Sequence, residues 1–212
     1  MTGPGFVLGY SARMDHADIK RAILDVSLEL GTELGEEGLT MRAIARGLGV
    51  SATALYQHYE SKAAIIRELR TRAVEQIDRF LAPAFEHPDP VEQLRRNGVL
   101  YLRFSREHPW LYQLITESVE DWGADTEPKR VAALSSLERA AVALHACQQR
   151  GVLHPSVDVR AAPLAIWAAL HGMAMLINTG RVSPEHAEFP SAPLEQVIER
   201  FANFVLSCFL TV

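Results

Sequence analysis

The chain has 212 residues, of which 48% are hydrophobic, and a formal net charge of −5. That length suits one small module plus one core-forming domain, and the apolar share is enough for packed helices. An acidic chain is not a polycation that coats nucleic acid indiscriminately, so any nucleic-acid contact has to come from a locally basic face.

Residues 1–16 read as a flexible N-terminal arm. Phe6, Val7 and Leu8 make too short an apolar core for a signal peptide, and no charged start precedes them. Arg13 is placed to brush a phosphate, against the plainer reading of a disordered tail. From Ala17 to Leu34 the residues Ile19, Ile23, Val26, Leu30 and Leu34 recur at helical spacing, and Gly35 and Gly38 end the run.

The stretch from 40 to 62, TMRAIARGLGVSATALYQHYESK, predicts a helix, a tight turn, a second short helix and the start of a third. Thr40 and Ser51 are hydroxyl N-caps, whose oxygens accept from the open amides of the turns they begin. Leu39 with Ile44, and Val50 with Leu55, stand at the two positions of a hydrophobic staple. Ser61 partly repeats the pattern. Gly49 supplies the positive φ that the turn needs, Ala45 is small enough for close helix approach, and Leu55 fills the angle. Gly47, Gly49 and Ala52 also spell G-x-G-x-x-A, a dinucleotide-binding pattern. That pattern needs a strand before it, whereas Met41, Ile44, Ala45 and Leu48 share one helical face. The reading is therefore a helix-turn-helix, which lays a short helix in the major groove of DNA. From Gly38 to Arg72 the bases Arg42, Arg46, Lys62, Arg67, Arg70 and Arg72 outnumber the acids Glu60 and Glu68, so the module is locally basic.

Ser61 opens a long helix with the apolar line Ile65, Leu69, Ala73, Ile77, Phe80 and Leu81. Pro83, Pro88 and Pro90 punctuate the next connection. Helices follow over Val91–Glu107, from Pro109 to about Ser118, over Pro128–Arg150 with Gly151 as its stop, over Val159–Asn178 and over Pro193–Leu210, with a loop at Glu120–Thr126. No alternating strand pattern and no repeat stands out, so the predicted fold is all-α.

Three other readings weaken on the same residues. Ala161 to Gly180 carries no charge and has the length of a membrane span, but it holds Pro163, His171, Gly172, Asn178 and Thr179 and equally fits a buried helix. Cys147 and Cys208 form no C-x-x-C and suggest buried small hydrophobes. No metal spacing and no H-E-x-x-H or G-x-S-x-G is present, so neither a metal, a cofactor nor a catalytic residue is expected, and an enzyme with an appended DNA-binding module is a minor alternative.

The segment from about Ala17 to Ala73 resembles the DNA-binding domain of the TetR family of transcriptional regulators. The matching residues are Ile23, Gly38, Leu39, Thr40, Ile44, Ala45, Gly49, Val50, Ser51, Leu55, Tyr56, His58, Tyr59, Ser61 and Lys62. Tyr59 stands where the family more often has Phe, and Thr53 where a small residue is usual. The run from Trp167 to Gly172 resembles the tryptophan–histidine–glycine signature of one subgroup of that family's C-terminal domains. The resemblance implies a homodimer, a helical ligand-binding domain and release from DNA when a small molecule binds. It divides the chain into the arm at 1–16, a helix-turn-helix domain at 17–62 and a helical effector-binding and dimerisation domain at 63–212. It also implies a cytoplasmic protein.

Roles follow from residue chemistry. The DNA-binding set is Thr40, Arg42, Ser51, Ala52, Thr53, Tyr56, Gln57, His58 and Lys62. Gln57 can pair bidentately with adenine, and a methyl of Ala52 or Thr53 can touch thymine. Thr40, Tyr56, His58 and Lys62 suit phosphates, and Arg42 adds charge. Tyr56 could instead be a packing aromatic, and His58 a structural hydrogen-bonder. A pocket among the middle helices would draw on Tyr101, Phe104, Trp110, Tyr112, Ile115, Leu137, Trp167, His171 and Met175, each of which could equally be ordinary core. A four-helix dimer interface would use Ala168 and Gly172 for close approach, with Leu194, Val197, Ile198, Phe201 and Val205 as the stripe of the last helix. The expected function is a repressor on a palindromic operator, released by a small, largely apolar ligand. The alternative is a DNA-bound regulator or structural protein without such a ligand.

Overall fold

The computed structural model describes residues 15–116, 127–183 and 192–211. The arm up to residue 14 with Arg13, the expected loop at Glu120–Thr126 and the last residues of the helix expected to reach Ser118 lie outside the described residues. Those described group into two compact units, one drawn from Met1–Ala73 and Gln113–Asp125, the other from Val74–Tyr112 and Thr126–Val212.

In the first unit, α1 (His16–Gly38) is capped by Asp15, whose carboxylate accepts from the Asp18 amide at 2.8 Å. Gly35 is non-helical within it, at φ 67°, so the regular helix ends where the glycine pair predicted. Next come α2 (Met41–Leu48), α3 (Ala52–Tyr56) and α4 (Lys62–Leu81), the last of which continues into the second unit. Gly49 closes α2 in the left-handed region, at φ 71°. Leu39, Ile44, Leu48 and Leu55 are almost fully buried, joined by Ile23 and Leu24 of α1. A Cβ on Gly47 would lie 2.7 Å from Cγ1 of Val26, so the bare backbone of α2 is what lets it sit against α1.

In the second unit a 3-10 turn (Ala82–Glu86) leads to α5 (Pro90–Glu107), capped by Asp89. Then come α6 (Pro109–Thr116), which straddles the division, α7 (Glu127–Gln149), α8 (Ala162–Asn178) and α9 (Leu194–Ser207). α5 packs against α7, α8 and α9. Part of the core joins Leu94, Ala140, Ala143, Leu144, Cys147, Leu153, Ala162 and Leu206. Cys147 is buried as expected, whereas Cys208 is exposed.

Two helices are shorter than their patterns predict. α8 begins at Ala162 rather than Val159 because the amides of Ala161 and Ala162 bond back to the Asp158 carbonyl, with Pro163 in the first turn, where a missing N–H costs nothing. α9 ends at Ser207 rather than Leu210 because the chain beyond it pairs with residues 152–154. The His154 amide donates to Phe209 and the Thr211 amide to Val152, each at 2.9 Å. That single bridge, Leu153 to Leu210, is the only β-type pairing among the described residues. No described helix is long and apolar enough to cross a membrane.

Gly47→Ala is expected to lower stability despite the better helix propensity of alanine. A helical valine has essentially one rotamer and cannot swing away, and overpacking costs about 1–3 kcal/mol against the roughly 1 kcal/mol that alanine restores. Urea denaturation of the two proteins measures the net loss, expected near 1 kcal/mol.

Candidate functional site

Three hydroxyls organise the first unit's outer face. Thr40 Oγ1 accepts from the Ala43 amide at 3.1 Å, Ser51 Oγ from Ala54 at 3.1 Å, and Ser61 Oγ from Ala64 at 3.2 Å. Each cap uses a lone pair and leaves the hydroxyl proton free to donate, so Thr40 and Ser51, both exposed, can cap a helix and hold a phosphate at once.

α3 buries Leu55 and turns Thr53 and Tyr56 to solvent. Gln57, next in the chain and still right-handed helical at φ −69°, ψ −19°, is exposed one turn beyond Thr53, and Ala52 is half-buried. Tyr56 is 53% exposed, which is not the setting of a packing aromatic. Arg42 and Arg46 stand one turn apart on the exposed side of α2, and neither makes an ion pair among the described residues. The sequence counts Arg46 with the basic residues but gives it no contact. Its spacing of four from Arg42 is the signal that aligns the two.

The remaining basic groups are more engaged. Lys62 donates to the Glu36 carbonyl at the end of α1 and lies 3.8 Å from the Glu36 carboxylate. One of its three donors is therefore spent on tying α4 to α1. Arg72 pairs with Asp25 at 2.6 Å, and Arg67 with Glu60 at 3.4 Å. Lys62, Arg67 and Arg72 are thus offset by acids of α1 and by Glu60, whereas Arg42 and Arg46 of α2 have no such partner among the described residues. Tyr59 is buried, donates to Glu68 at 2.9 Å and lies under the Lys20 ammonium, 5.2 Å from its ring centre. His58 is half-buried with its Nδ1 lacking a partner among the described residues, and its ring centre lies 4.7 Å from that of His16. Burial first, then His16 and Lys20, hold its pKa below the ordinary histidine value.

In the second unit four of the expected pocket residues form one hydrogen-bonded chain. Trp167 Nε1 donates to the Tyr101 hydroxyl at 3.1 Å, that hydroxyl meets Tyr112 at 3.1 Å, and Tyr112 meets His171 Nδ1. Burial lowers the His171 pKa and raises those of both tyrosines. Phe104 is buried with its ring against Phe80 and His108. Trp110 is buried with an indole N–H that has no acceptor among the described residues. Leu137 is half-buried and Met175 is 45% exposed, while Ile115 falls in the other unit.

Of the expected interface residues, Ala168 and Gly172 are exposed on α8, and Leu194 and Phe201 are half-buried. Val197, Ile198 and Val205 are buried in the protomer's own core. The apolar residues of these two helices that do reach solvent include Leu164, Met175, Leu176 and Phe204.

Comparison with known proteins fits this arrangement. Residues 23–69 match the family model described as bacterial regulatory proteins, tetR family. Residues 94–201 match the one described as tetracyclin repressor-like, C-terminal domain. Over 50 residues the chain is 42% identical to tetracycline repressor protein class C of Escherichia coli, a match that covers 24% of this chain and 23% of that protein. The chain thus aligns with about a quarter of that relative's length. Among solved structures it is similar to the TetR family transcriptional regulator PfmR of Thermus thermophilus. That likeness has a TM-score of 0.63 and 26% identity, over 87% of this chain and 97% of that one. A protein of unknown function from Rhodococcus sp. RHA1 superposes with a TM-score of 0.78 over 95% of this chain and 100% of that one, at 19% identity, and shows the fold alone.

Two outcomes are expected of this face. Gln57→Ala relaxes preference at one base position, by about 1–3 kcal/mol. Lys62→Ala weakens binding to all sequences and flattens the salt dependence; gel shifts over a salt series separate the two effects. The fold also favours neutral His58. Stability is therefore whole above pH ~6.5, the ordinary histidine pKa, and falls as pH drops below it. His58→Asn is expected to flatten that fall in thermal melts between about pH 7 and 5.

Proposed function

The chain belongs to the TetR family of bacterial regulators, and on that premise we propose that it is a repressor, a homodimer that reads a palindromic operator and is released by a small, largely apolar ligand. The family and fold make it a DNA-binding transcriptional regulator and not an enzyme. The proposal adds the sign of regulation, the assembly, the ligand, the tryptophan–histidine–glycine subgroup and a cytoplasmic location.

The observation that carries the DNA reading is the exposed row of Thr53, Tyr56 and Gln57 on a capped helix and its C-cap, with Arg42 and Arg46 on α2 making no ion pair among the described residues. The proposed contact set remains Thr40, Arg42, Ser51, Ala52, Thr53, Tyr56, Gln57, His58 and Lys62. In a dimer, two such helices meet half-sites about 34–36 Å apart. The homodimer is supported by the apolar side chains that α8 and α9 leave in solvent, with Leu164 at 60% and Phe204 at 65% exposure. A self-complementary contact between those faces covers them. Ala168 and Gly172 then allow close approach, while Val197, Ile198 and Val205 stiffen the helix from behind.

The ligand reading is supported by Trp110, whose buried N–H lacks an acceptor among the described residues, one that a guest would supply. The alternative, a regulator without a small-molecule effector, is favoured by the chain through Tyr101 and Tyr112, whose hydroxyls already satisfy each other. If a ligand acts, α4 is one of the stretches of chain that run from one unit into the other, and a coupling of about 1–3 kcal/mol suffices for release.

Sequencing the genome fragments retained by the purified protein at fixed salt tests the operator reading. One enriched palindrome is expected, and enrichment no better than random DNA refutes it. Phe204→Arg is expected to give monomers by sedimentation and to lower operator affinity by at least about tenfold, more than 1.4 kcal/mol.

A further inference from the structure

Beside the 3-10 turn a groove of about 290 Å³ runs along α5, lined by Pro83, Ala84, Arg95, Arg96, Val99, Leu100, Arg103 and Glu199. It shares no residue with the aromatic chain of Tyr101 and Tyr112. Its volume falls just short of the range of small-molecule sites, roughly 300 to 1,000 Å³, and suits a small guest. Ala84 and Val99 are buried and give it an apolar floor.

Three guanidinium groups face one carboxylate among its lining residues. Glu92 grips Arg95 with two oxygens at 2.8–3.0 Å, which fixes the direction of that side chain. Arg103 is held by Glu195 and lies 3.6 Å from Glu199. Among the described residues Arg96 has a 3.6 Å approach to Glu92, too long for a hydrogen bond, and is 46% exposed. Pre-set guanidinium forks with spare N–H donors match the planar oxygens of a carboxylate or phosphate. Glu199 is the weakly held carboxylate that such an oxygen group would replace.

We propose that this groove is a binding site for an amphiphilic anion, a carboxylate or phosphate group taken by Arg96 and Arg103 with its apolar body on Ala84 and Val99. This goes beyond the effector reading, which concerns the aromatic interior of the same unit. The site requires two opposite responses of its charged residues. Removing Arg96 takes away donors, while neutralising Glu199 takes away a competitor for them.

The test is calorimetric titration of the full chain with hexanoate and hexyl phosphate at fixed ionic strength, against hexylamine and hexanol. Both anions are expected to bind saturably, and neither control to do so. Arg96→Gln should lower anion affinity about tenfold, the worth of one charge-assisted hydrogen bond, and Glu199→Gln should raise it. Both variants should keep the wild-type melting temperature, since each alters a half-exposed side chain. No saturable anion binding, hexylamine binding as tightly as hexanoate, or affinities unmoved in both variants overturns the proposal. Anion binding that ignores Arg96→Gln but is lost in Trp110→Phe moves the anion to the aromatic interior. That result overturns the groove and leaves the effector reading standing.

Discussion

The DNA-reading unit depends on one small interaction repeated three times, a hydroxyl oxygen accepting from the amide three residues ahead. Thr40, Ser51 and Ser61 each make it. Helices of 8 and 5 residues, the lengths of α2 and α3, are far too short to hold themselves in water. The caps fix where each begins, and burial of Leu39, Ile44 and Leu55 fixes how they cross. The exposed row on α3 inherits its direction from those two constraints. Glu36, through Lys62, adds a third by pinning the start of α4 to the end of α1.

The second unit is organised differently, around one helix that is buried along most of its length. α5 contributes Leu94, Val99, Tyr101, Leu102 and Phe104 to the interior. Gly98 lets α9 come close, since a Cβ there would lie 3.3 Å from that of Ala202. The same helix carries Arg95, Arg96 and Arg103 on its outer side, so its two faces have unlike chemistry. Polar groups inside are arranged in series, with tyrosine hydroxyls between an indole and an imidazole. Such a series is rigid when complete and costly when broken.

What the sequence made legible follows from the range of each interaction. Caps, staples and the glycine turn act within a few residues, and Thr40, Ser51 and Gly49 all take the roles their spacing implies. Helical stripes located the later helices to within a few residues, until long-range pairing intervened. The single bridge between residues 152–154 and 209–211 is invisible locally, and it ends α9 early. Partner choice was equally hidden. Nothing near Lys62 in the chain announces that Glu36 holds it, or that Asp25 neutralises Arg72. Which side of a wide apolar stripe faces inward also escapes periodicity. Val197 and Val205 turn to the protomer core while Phe204 turns to solvent.

The contact between Gly47 and Val26 has an evolutionary reading. With only 2.7 Å between a Cβ at position 47 and the valine methyl, the two positions cannot drift independently. A lineage that gains a side chain at 47 has to lose bulk at 26 first, or pass through a weakened intermediate. Sites 21 residues apart in the chain are thereby joined into one unit of inheritance. Natural variants of this module are expected to carry their volume at one of the two positions and not at both.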